Sequence, residues 1–509
     1  MLSLALVTLV SLALSLVLTP LVRSQAIKFG IVDHPDNQRK LHRRVVARAG
    51  GTAVLFSVLL TCSLAAFKLN LLQLRASAFF PYVALLTAMV AIWLLGLADD
   101  IWTLRGRQKL VGQILIASGL ACCGFQIGSV QVLGYQLDLG LFAVPVSTIW
   151  LLATTNALNL IDGADGLCST IGAVICGSLG VLAAVNNHYA EAAIAFAMCG
   201  ALIGFLIFNF PPASIFLGDS GSLLIGMVTG ALAIRCALKG PTTVAFLAPL
   251  AILSLPLLDS CMAIIRRKLT GRSIYTTDRA HLHHTLRNKG LGDRGLLAAV
   301  AFLSLTTASG ALLGQFLGRD WIAPICVVVM FGFLVFTKAF GYAEVALVAR
   351  RGSLFARSLM KPIGRPQTDS HHKTVRLQGN RQWDTVWMTL VEFAESQELS
   401  QLHMDLNVPW LEEGFHGTWR RGKLPDKTER WSTSLPICAA GRLAGRLDVV
   451  GPAILDEGFS PVAKLLELIE DLGPQIEVIM ETPVEAPATQ LQSTQTKTTG
   501  KALSAAAGN

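Results

Sequence analysis

Long apolar stretches separated by short polar segments fill the chain up to about residue 345. Many of these stretches approach the roughly 20 residues that an α-helix needs to cross the hydrocarbon core of a bilayer. The pattern predicts about eleven transmembrane helices, near residues 2–22, 50–67, 79–98, 110–128, 142–160, 167–186, 189–209, 221–238, 243–265, 296–317 and 322–342. We therefore expect residues 1–345 to form an all-α polytopic transmembrane domain.

Composition and charge agree with this pattern. Of 509 residues, 52% are hydrophobic and 15% are charged, a balance that excludes an ordinary soluble globular protein. The net charge of +9 comes mostly from Lys and Arg in the loops after the first, third and ninth predicted helices, which share one side of the membrane. Because such cations stay on the cytoplasmic side, we predict that the N-terminus is outside and the C-terminal part is cytoplasmic.

Beyond residue 345 the sequence becomes charged and mixed. Residues 346–380 carry ARRGSLFARSLMKPIGRP and are predicted to be a basic juxtamembrane linker that contacts anionic lipid headgroups. Residues 381–482 contain helix-like and strand-like patterns, among them WDTVWMTLVEFAESQELSQL, RWSTSLPI, GRLAGRLDVV and SPVAKLLELIEDL. They predict a compact cytoplasmic α+β domain of unknown role, with its tryptophans packed in the core. Residues 483–509, rich in Thr, Gln, Pro and Ala, are predicted to be disordered.

Carboxylates and amides gather where predicted helices end or begin. They are Asp99 and Asp100 in GLADDIWTLRGRQKL, Asn156, Asn159, Asp162 and Asp165 in NALNLIDGADGL, Asp219 in FLGDSGS, and Asp278 with Arg279, His281, His283 and His284 in DRAHLHH. All of them fall on the predicted cytoplasmic side. Placing a carboxylate in or near hydrocarbon costs at least about 2.5–3.5 kcal/mol of insertion free energy. Such residues therefore usually have a functional role.

The residue types indicate a metal and a polyanion. Asn156, Asn159 and Asp162 recur at every third position and share roughly one helix face. Asp and Asn oxygens suit Mg²⁺ or Mn²⁺, whereas Lys, Arg and His suit phosphates, so a diphosphate substrate is expected. Alternatives remain open at this point: a single aspartate can be a helix cap or a solvated charge, and the histidines can form a zinc site, although no Cys or spaced His partner supports zinc.

Several sequence blocks resemble a known family. They are DDxxxLxxxxKL at 99–110, NxxNxxDGxDGL at 156–167, FLGDSGS at 216–222, DRxHxHH at 278–284 and the loop VDHPDNQRKLHRRVVARAGG. In this order and topology they are similar to the signature blocks of the polyprenyl-phosphate N-acetylhexosamine-1-phosphate transferases. The resemblance covers about residues 30 to 290 and does not reach the C-terminal part.

The resemblance implies an activity. Such enzymes transfer N-acetylhexosamine 1-phosphate from a UDP-sugar to undecaprenyl phosphate, release UMP, and start a cell-envelope polysaccharide on a lipid carrier in the bacterial inner membrane. The HLHH form of the last block resembles the group that uses UDP-GlcNAc, so GlcNAc is the first choice, with GalNAc and modified sugars open. The implied cofactor is Mg²⁺, with Mn²⁺ as the alternative. The expected partners are the UDP-sugar, undecaprenyl phosphate and the lipid bilayer, without nucleic acid, and a homodimer is left open.

The resemblance also implies residue roles. Asp219 matches a metal ligand, Asn159 lies near the metal, and Asp162 and Asp165 belong to the nucleotide-metal pocket. Asp99 and Asp100 are assigned to the attacking lipid phosphate, as base or as positioning groups. Lys109, as a catalytic residue, and Arg279, His281, His283 and His284 would contact phosphates. Asn156 is predicted to bind substrate because it shares the helix face of Asn159 and Asp162.

A secondary transporter is the alternative from another class, because intramembrane carboxylates and interrupted helices also mark ion-coupled carriers. Two sequence observations oppose it. The acidic clusters gather at one membrane face instead of the midplane, and the sequence shows no inverted repeat.

Overall fold

The computed structural model of the chain divides into two compact units, Met1–Arg365 and Pro366–Asn509. Within the first unit the structure describes residues 2–33, 45–68, 76–132, 135–237, 244–269, 281–319, 321–342, 345 and 348–349. Within the second it describes residues 370–378, 381, 383–408, 411, 413–422, 424, 426, 428–439, 442–452 and 460–481. The predicted disordered tail, 483–509, lies outside the described residues, as does most of the predicted linker.

The first unit is built almost entirely of helices. In chain order they are α1 (Leu2–Lys28), α2 (Gly50–Lys68), α3 (Ala76–Trp102), α4 (Gly106–Cys122), α5 (Ala143–Ile161), α6 (Leu167–Val185), α7 (Tyr189–Asn209), α8 (Gly218–Ala237), α9 (Val244–Ile252), α10 (Ser254–Leu269), α11 (Leu282–Asn288), α12 (Asp293–Leu317) and α13 (Ile322–Phe336). Short strands join them: β1 (Val32–Asp33), β2 (Val46–Arg48), β3 (Ser129–Val132), β4 (Tyr135–Asp138) and β5 (Ile215–Phe216).

Seven helices of the described part are long and apolar enough to cross a membrane: α1, α2, α3, α5 with the 3₁₀ turn before it, α6, α7 and α12. The chain is therefore a polytopic helical membrane protein, with fewer clear spans than the eleven that hydropathy predicts. The other predicted spans correspond to α4, with 17 residues, to α8, which begins with the polar run GDSGS, to α9 with α10, and to α13, with 15 residues.

The predicted span 243–265 is interrupted. Helix α9 ends at Ile252 and α10 begins at Ser254. Pro256 has no N–H to donate to the carbonyl of Ile252, which explains why one continuous apolar stretch forms two helices.

Helix α8 lies at the centre of the unit, and glycines bring other helices close to its first turn. A Cβ at Gly51 of α2 would lie 2.2 Å from the backbone nitrogen of Gly221, and one at Gly96 of α3 would lie 2.5 Å from the carbonyl oxygen of Asp219. Backbone contacts this close are open only to glycine. The start of α8 is therefore tightly enclosed by α2 and α3.

A small sheet also holds this region. Strand β2 pairs antiparallel with β1 and parallel with β5, so that Ala47 lies opposite both Val32 and Ile215. Since β5 immediately precedes α8, the sheet ties the start of α8 to the segment that carries Arg48.

A buried ion pair stabilises the other end of α8. Glu191, in the first turn of α7, accepts hydrogen bonds from Arg235 Nε at 3.0 Å and from the Tyr82 hydroxyl at 3.2 Å. Arg235 is 16 residues beyond Asp219, which corresponds to about 24 Å along the helix axis. The charges also suit the helix dipoles, because the anion lies at an N-terminus and the cation at a C-terminus.

The second unit contains an antiparallel five-stranded sheet with the order β6-β8-β7-β10-β9. Its elements are β6 (Ser370–Gln378), α14 (Trp383–Ser396), β7 (Gln401–Val408), β8 (Glu413–Arg421), β9 (Arg430–Ala439), β10 (Arg442–Pro452) and α15 (Ser460–Glu481). Trp383, Trp387 and Trp419 are buried in the core that α14 and α15 share with the sheet, as predicted for these tryptophans.

One boundary differs from the sequence prediction. The segment predicted to be linker up to residue 380 contains β6, which pairs with β8 along its length. SHHKTVRLQ lacks an alternating apolar pattern because β6 is an edge strand with a single partner, so its sequence resembles a polar linker.

Helix α1 packs on α7 through small residues. A Cβ at Gly200 would lie 2.2 Å from the carbonyl oxygen of Thr8, and one at Gly204 would lie 2.7 Å from that of Leu12. Ser11 and Ser15 of α1 donate hydrogen bonds to carbonyl oxygens of α7 at 2.6 and 2.7 Å. This is the spacing by which small residues allow membrane helices to approach.

We expect Gly200→Ala to destabilise the protein by roughly 1–3 kcal/mol, because the added methyl group must push α1 away from α7. The measurement is the thermal unfolding midpoint in detergent. Gly119→Ala in α4 is the matched control, since a Cβ there meets nothing within 4 Å. Equal midpoints for the two variants would contradict the tight α1–α7 contact.

Candidate functional site

Asp219 lies in the first turn of α8 and is held by two neighbouring helices. Its Oδ2 lies 2.6 Å from Lys109 Nζ of α4, and its Oδ1 accepts a hydrogen bond from Asn159 Nδ2 of α5 at 2.9 Å. Asn159 Nδ2 also donates to Ser222 Oγ at 2.9 Å, which fixes the amide orientation. The carboxylate of Asp219 remains 21% exposed, so it is accessible from outside the bundle.

The ammonium group of Lys109 is the point on which three oxygens converge. Besides Asp219, it lies 2.9 Å from Asp99 Oδ2 and donates to Asn159 Oδ1 at 3.2 Å. Four residues from α3, α4, α5 and α8, widely separated in the sequence, therefore meet at one cation position. We call Asp99, Lys109, Asn159 and Asp219 the central cluster.

Asp162 and Asp165 follow directly after α5. Asp165 Oδ2 accepts a hydrogen bond from the backbone N–H of Ala213 at 2.9 Å, which ties this turn to the segment before β5. Burial, and then the carboxylates of Asp219 and Asp100, raise the pKa of Asp162 to about 8. The Arg48 guanidinium opposes this rise in pKa, yet the carboxyl group is still largely protonated at pH 7.

The histidines at the start of α11 lie against the same turn. A Cβ at Gly163 would lie 2.5 Å from His283 Nε2, so the glycine leaves space for this ring. His283 is buried, and burial, followed by the charges of His284 and His281, lowers its pKa to about 2. It is thus a neutral imidazole. Its ring centroid is 4.3 Å from that of His284. Asp278 and Arg279 lie outside the described residues.

Asn156 does not contact the carboxylates of the central cluster in any described hydrogen bond. Its Nδ2 donates to Gln113 Oε1 at 2.9 Å and to the carbonyl oxygen of Leu152 at 2.8 Å. Gln113 was not among the predicted residues, although it follows Lys109 by four positions and so shares its helix face. The hydrogen bond between Asn156 and Gln113 joins α4 to α5 beside the central cluster.

Asp100 differs from its neighbour Asp99. Its side chain is fully buried, and its two oxygens accept hydrogen bonds from the backbone N–H groups of Asp219 at 2.9 Å and Ser220 at 3.0 Å. Arg48 Nε lies 3.1 Å from Asp100 Oδ1. In this position Asp100 caps α8 from another helix, as N-cap side chains do locally. Its implied role toward the lipid phosphate stays a prediction.

The central cluster has the donor set that a hard divalent cation requires. Two carboxylates and one amide oxygen already surround a cationic nitrogen. Within the described part of the chain, no group of three or more His, Cys, Asp or Glu side chains forms a complete metal cage. Mg²⁺ is usually bound by one or two carboxylates, waters and substrate phosphates, and the carboxylates of Asp99 and Asp219 fit that donor set.

Comparisons with known proteins identify the family of the chain. The model of "Glycosyl transferase family 4" matches residues 82–237, a range that contains the whole central cluster. The chain is 33% identical over 290 residues to a probable undecaprenyl-phosphate N-acetylglucosaminyl 1-phosphate transferase of Bacillus subtilis, covering 56% of this chain and 77% of the relative. It is 35% identical over 333 residues to the decaprenyl-phosphate N-acetylglucosaminephosphotransferase of Mycolicibacterium smegmatis, covering 57% and 77%.

A relative of the same name from Mycobacterium tuberculosis is 32% identical over 383 residues, which covers 69% of this chain and 90% of the relative. These alignments span most of each relative, at an identity that indicates common descent. The chain therefore belongs to glycosyl transferase family 4.

Proposed function

We propose that the protein transfers N-acetylglucosamine 1-phosphate from UDP-N-acetylglucosamine to undecaprenyl phosphate and releases UMP. The observation that carries this proposal is the central cluster, in which the Lys109 ammonium lies between the Asp99 and Asp219 carboxylates at one end of the bundle. A cation held at a fixed position can offset the charge of two phosphate groups that must approach each other.

In this reaction an oxygen of the lipid phosphate attacks the sugar-bearing phosphorus of the UDP-sugar, and the bond from that phosphorus to the UMP oxygen breaks. The main obstacle is the repulsion between two anions, so positioning and charge neutralisation dominate the catalysis. Lys109 offers a fixed positive charge, and the neutral His283 offers a hydrogen bond to a phosphate oxygen.

Asp219 and Asn159 are the residues that would hold Mg²⁺, with Asp162 and Asp165 on the adjacent turn. The ion, when bound, neutralises diphosphate charge. Asp99 is 11% exposed and accepts a hydrogen bond from the backbone N–H of Leu104 at 2.7 Å, so its carboxylate is held in place beside Lys109. It would meet the lipid phosphate as a base or as a positioning group.

The membrane arrangement forms part of the same proposal. We propose that α4, α8, α9 with α10, and α13 also lie within the bilayer, which gives the eleven predicted segments. The basic loops support a cytoplasmic site, a cytoplasmic C-terminal unit and an external N-terminus in a bacterial cytoplasmic membrane.

The sugar and the lipid are proposed on two grounds. The HLHH block resembles enzymes that use a simple UDP-N-acetylhexosamine, and all three relatives above carry N-acetylglucosamine in their names. Their lipids differ, being undecaprenyl phosphate in one name and decaprenyl phosphate in the others. A panel of UDP-sugars and both lipids therefore tests each choice separately.

The test is incubation of the purified protein with radiolabelled UDP-GlcNAc, undecaprenyl phosphate and Mg²⁺. A labelled butanol-extractable lipid, with release of UMP, is the expected result. A secondary transporter would form no such lipid, so the absence of product with every sugar and both lipids would refute the transferase proposal. The position of Asp219 in the first turn of α8, instead of mid-helix, already disfavours a midplane transport site.

We expect Asp219→Asn and Asp99→Asn to fail in different ways. Asp219→Asn should lower turnover by orders of magnitude and weaken Mg²⁺-dependent UMP binding, because a hard cation loses a carboxylate ligand. Asp99→Asn should lower turnover but retain UMP binding. Turnover and UMP titration of both variants provide the check, and equal impairment of UMP binding would contradict this division.

Asp100→Asn should lower both activity and stability. The amide offers one acceptor where two backbone N–H groups need one each, and Arg48 loses its charged partner, a loss of roughly 1–3 kcal/mol. Asp99→Asn is the matched control for the unfolding midpoint, since it removes the same charge one residue earlier and leaves the Asp100 contacts to α8 in place. A wild-type unfolding midpoint for Asp100→Asn would contradict the capping role.

Truncation after Arg365, where the first compact unit ends, should leave transferase activity in membranes. All residues of the central cluster precede this point. The comparison is turnover per molecule of membrane-inserted protein, truncated against full-length. Loss of turnover at normal abundance would show that the C-terminal unit participates in the reaction.

A further inference from the structure

One charged residue of the apolar helix α10 is not explained by the central cluster. Asp259, in SLPLLDSCMAII, is 1% exposed. A buried carboxylate is costly unless its oxygens are paired and hydrogen-bonded. Its partners therefore indicate what it does.

Both oxygens of Asp259 bind one junction, the start of α11. Oδ2 lies 2.8 Å from His281 Nδ1, and Oδ1 accepts a hydrogen bond from the backbone N–H of Leu282 at 2.8 Å. His281 is itself buried and stands at the N-cap position of α11. A single carboxylate thus fixes the ring and the backbone of the same segment.

This contact decides which ring nitrogen of His281 carries a hydrogen. A carboxylate oxygen accepts hydrogen bonds, so we assign Nδ1 as the donor to Oδ2. Nε2, on the opposite edge of the ring, is then the atom that can contact a ligand. Carboxylate–imidazole pairs serve this purpose in metal sites and in hydrolases, where the carboxylate sets tautomer and orientation.

The next histidine connects the pair to the proposed site. The His283 ring lies nearly parallel to that of His281, with 12° between the planes and 6.1 Å between centroids. His283 is 3% exposed, and among the described residues neither of its ring nitrogens has a hydrogen-bond partner. It also faces Gly163, in the turn between Asp162 and Asp165. A buried imidazole with unpaired nitrogens beside this turn points to a ligand.

We propose that Asp259 is a positioning residue that holds His281, and with it the start of α11, in the orientation needed to bind the phosphates of the UDP-sugar. Asp259 acts through His281 and does not contact the substrate. This inference rests on the proposed transferase function and adds a residue to its phosphate site.

The test is a double-mutant cycle of Asp259→Asn and His281→Ala, measured as kcat and KM for UDP-GlcNAc. The asparagine keeps an acceptor for Leu282 but can donate to Nδ1 and so favours the opposite tautomer. We expect Asp259→Asn to reduce kcat/KM about 10- to 100-fold. We expect the double variant to be no worse than His281→Ala alone, because both changes remove one interaction.

Two controls separate positioning from folding. Ser260→Ala, a buried neighbour on the same helix, should keep wild-type kinetics. Asp259→Glu, which retains the carboxylate, should recover part of the activity that Asp259→Asn loses. The same cycle should also be measured through unfolding midpoints without substrate, which do not depend on activity. We expect the two substitutions together to lower the midpoint by less than the sum of their separate effects.

Three results would overturn the proposal. The first is wild-type kinetics for Asp259→Asn. The second is a double variant whose fold reduction in kcat/KM equals the product of the two single reductions. The third is loss of Asp259→Asn from the membrane while His281→Ala accumulates normally. If the wild-type protein forms no lipid product, the transferase function itself fails, and coupled unfolding midpoints would still report on the Asp259–His281 pair.

Discussion

The hydrogen bonds from the first turn of α8 to Asp100 are the contact on which the site depends. Helix N-termini leave N–H groups without partners, and here a carboxylate from α3 satisfies two of them. The close approach of Gly51 and Gly96 encloses the same turn. Together these contacts fix the backbone of Asp219. Its side chain is therefore already positioned next to groups from three other helices.

The balance of charge at this end of the bundle supports the proposed Mg²⁺. The carboxylates of Asp99 and Asp219 contact the Lys109 ammonium, and the carboxyl group of Asp162 interacts with the charges of Asp219 and Asp100. A raised pKa keeps Asp162 largely neutral at pH 7, which reduces the repulsion in the substrate-free protein. A diphosphate approaching such a site needs further positive charge, and this requirement agrees with the proposed Mg²⁺.

At the opposite end of α8, the charged residues have no proposed functional role and form an ion pair. Glu191 and Arg235 are paired with each other and with the Tyr82 hydroxyl. The Arg235 guanidinium also lies 5.7 Å from the centre of the Phe125 ring and 5.9 Å from that of Tyr82. Glu191 and Arg235 thus neutralise each other, whereas the carboxylates of Asp99 and Asp219 remain partly exposed.

Local sequence patterns were enough to predict the membrane class, the approximate helices and the kind of chemistry proposed for the site. Apolar length and periodicity are local properties, so hydropathy located the seven clear spans, and the residue types of the motifs indicated a metal and a polyanion. The strands β9 and β10 and the buried tryptophans of the second unit were likewise predictable from local alternation. The edge strand β6 was not, because a strand with one partner needs no regular apolar face.

The contacts of each polar residue, in contrast, depend on how the helices pack. Asp99 and Asp100 are adjacent and chemically identical, but consecutive helix positions point about 100° apart, so one side chain reaches Lys109 and the other reaches the N-terminus of α8. Asp259 and His281 are 22 positions apart, and no local pattern relates them. Such roles depend on which helices pack together and at what rotation, and that is set by the summed packing of the bundle, not by any short stretch of sequence.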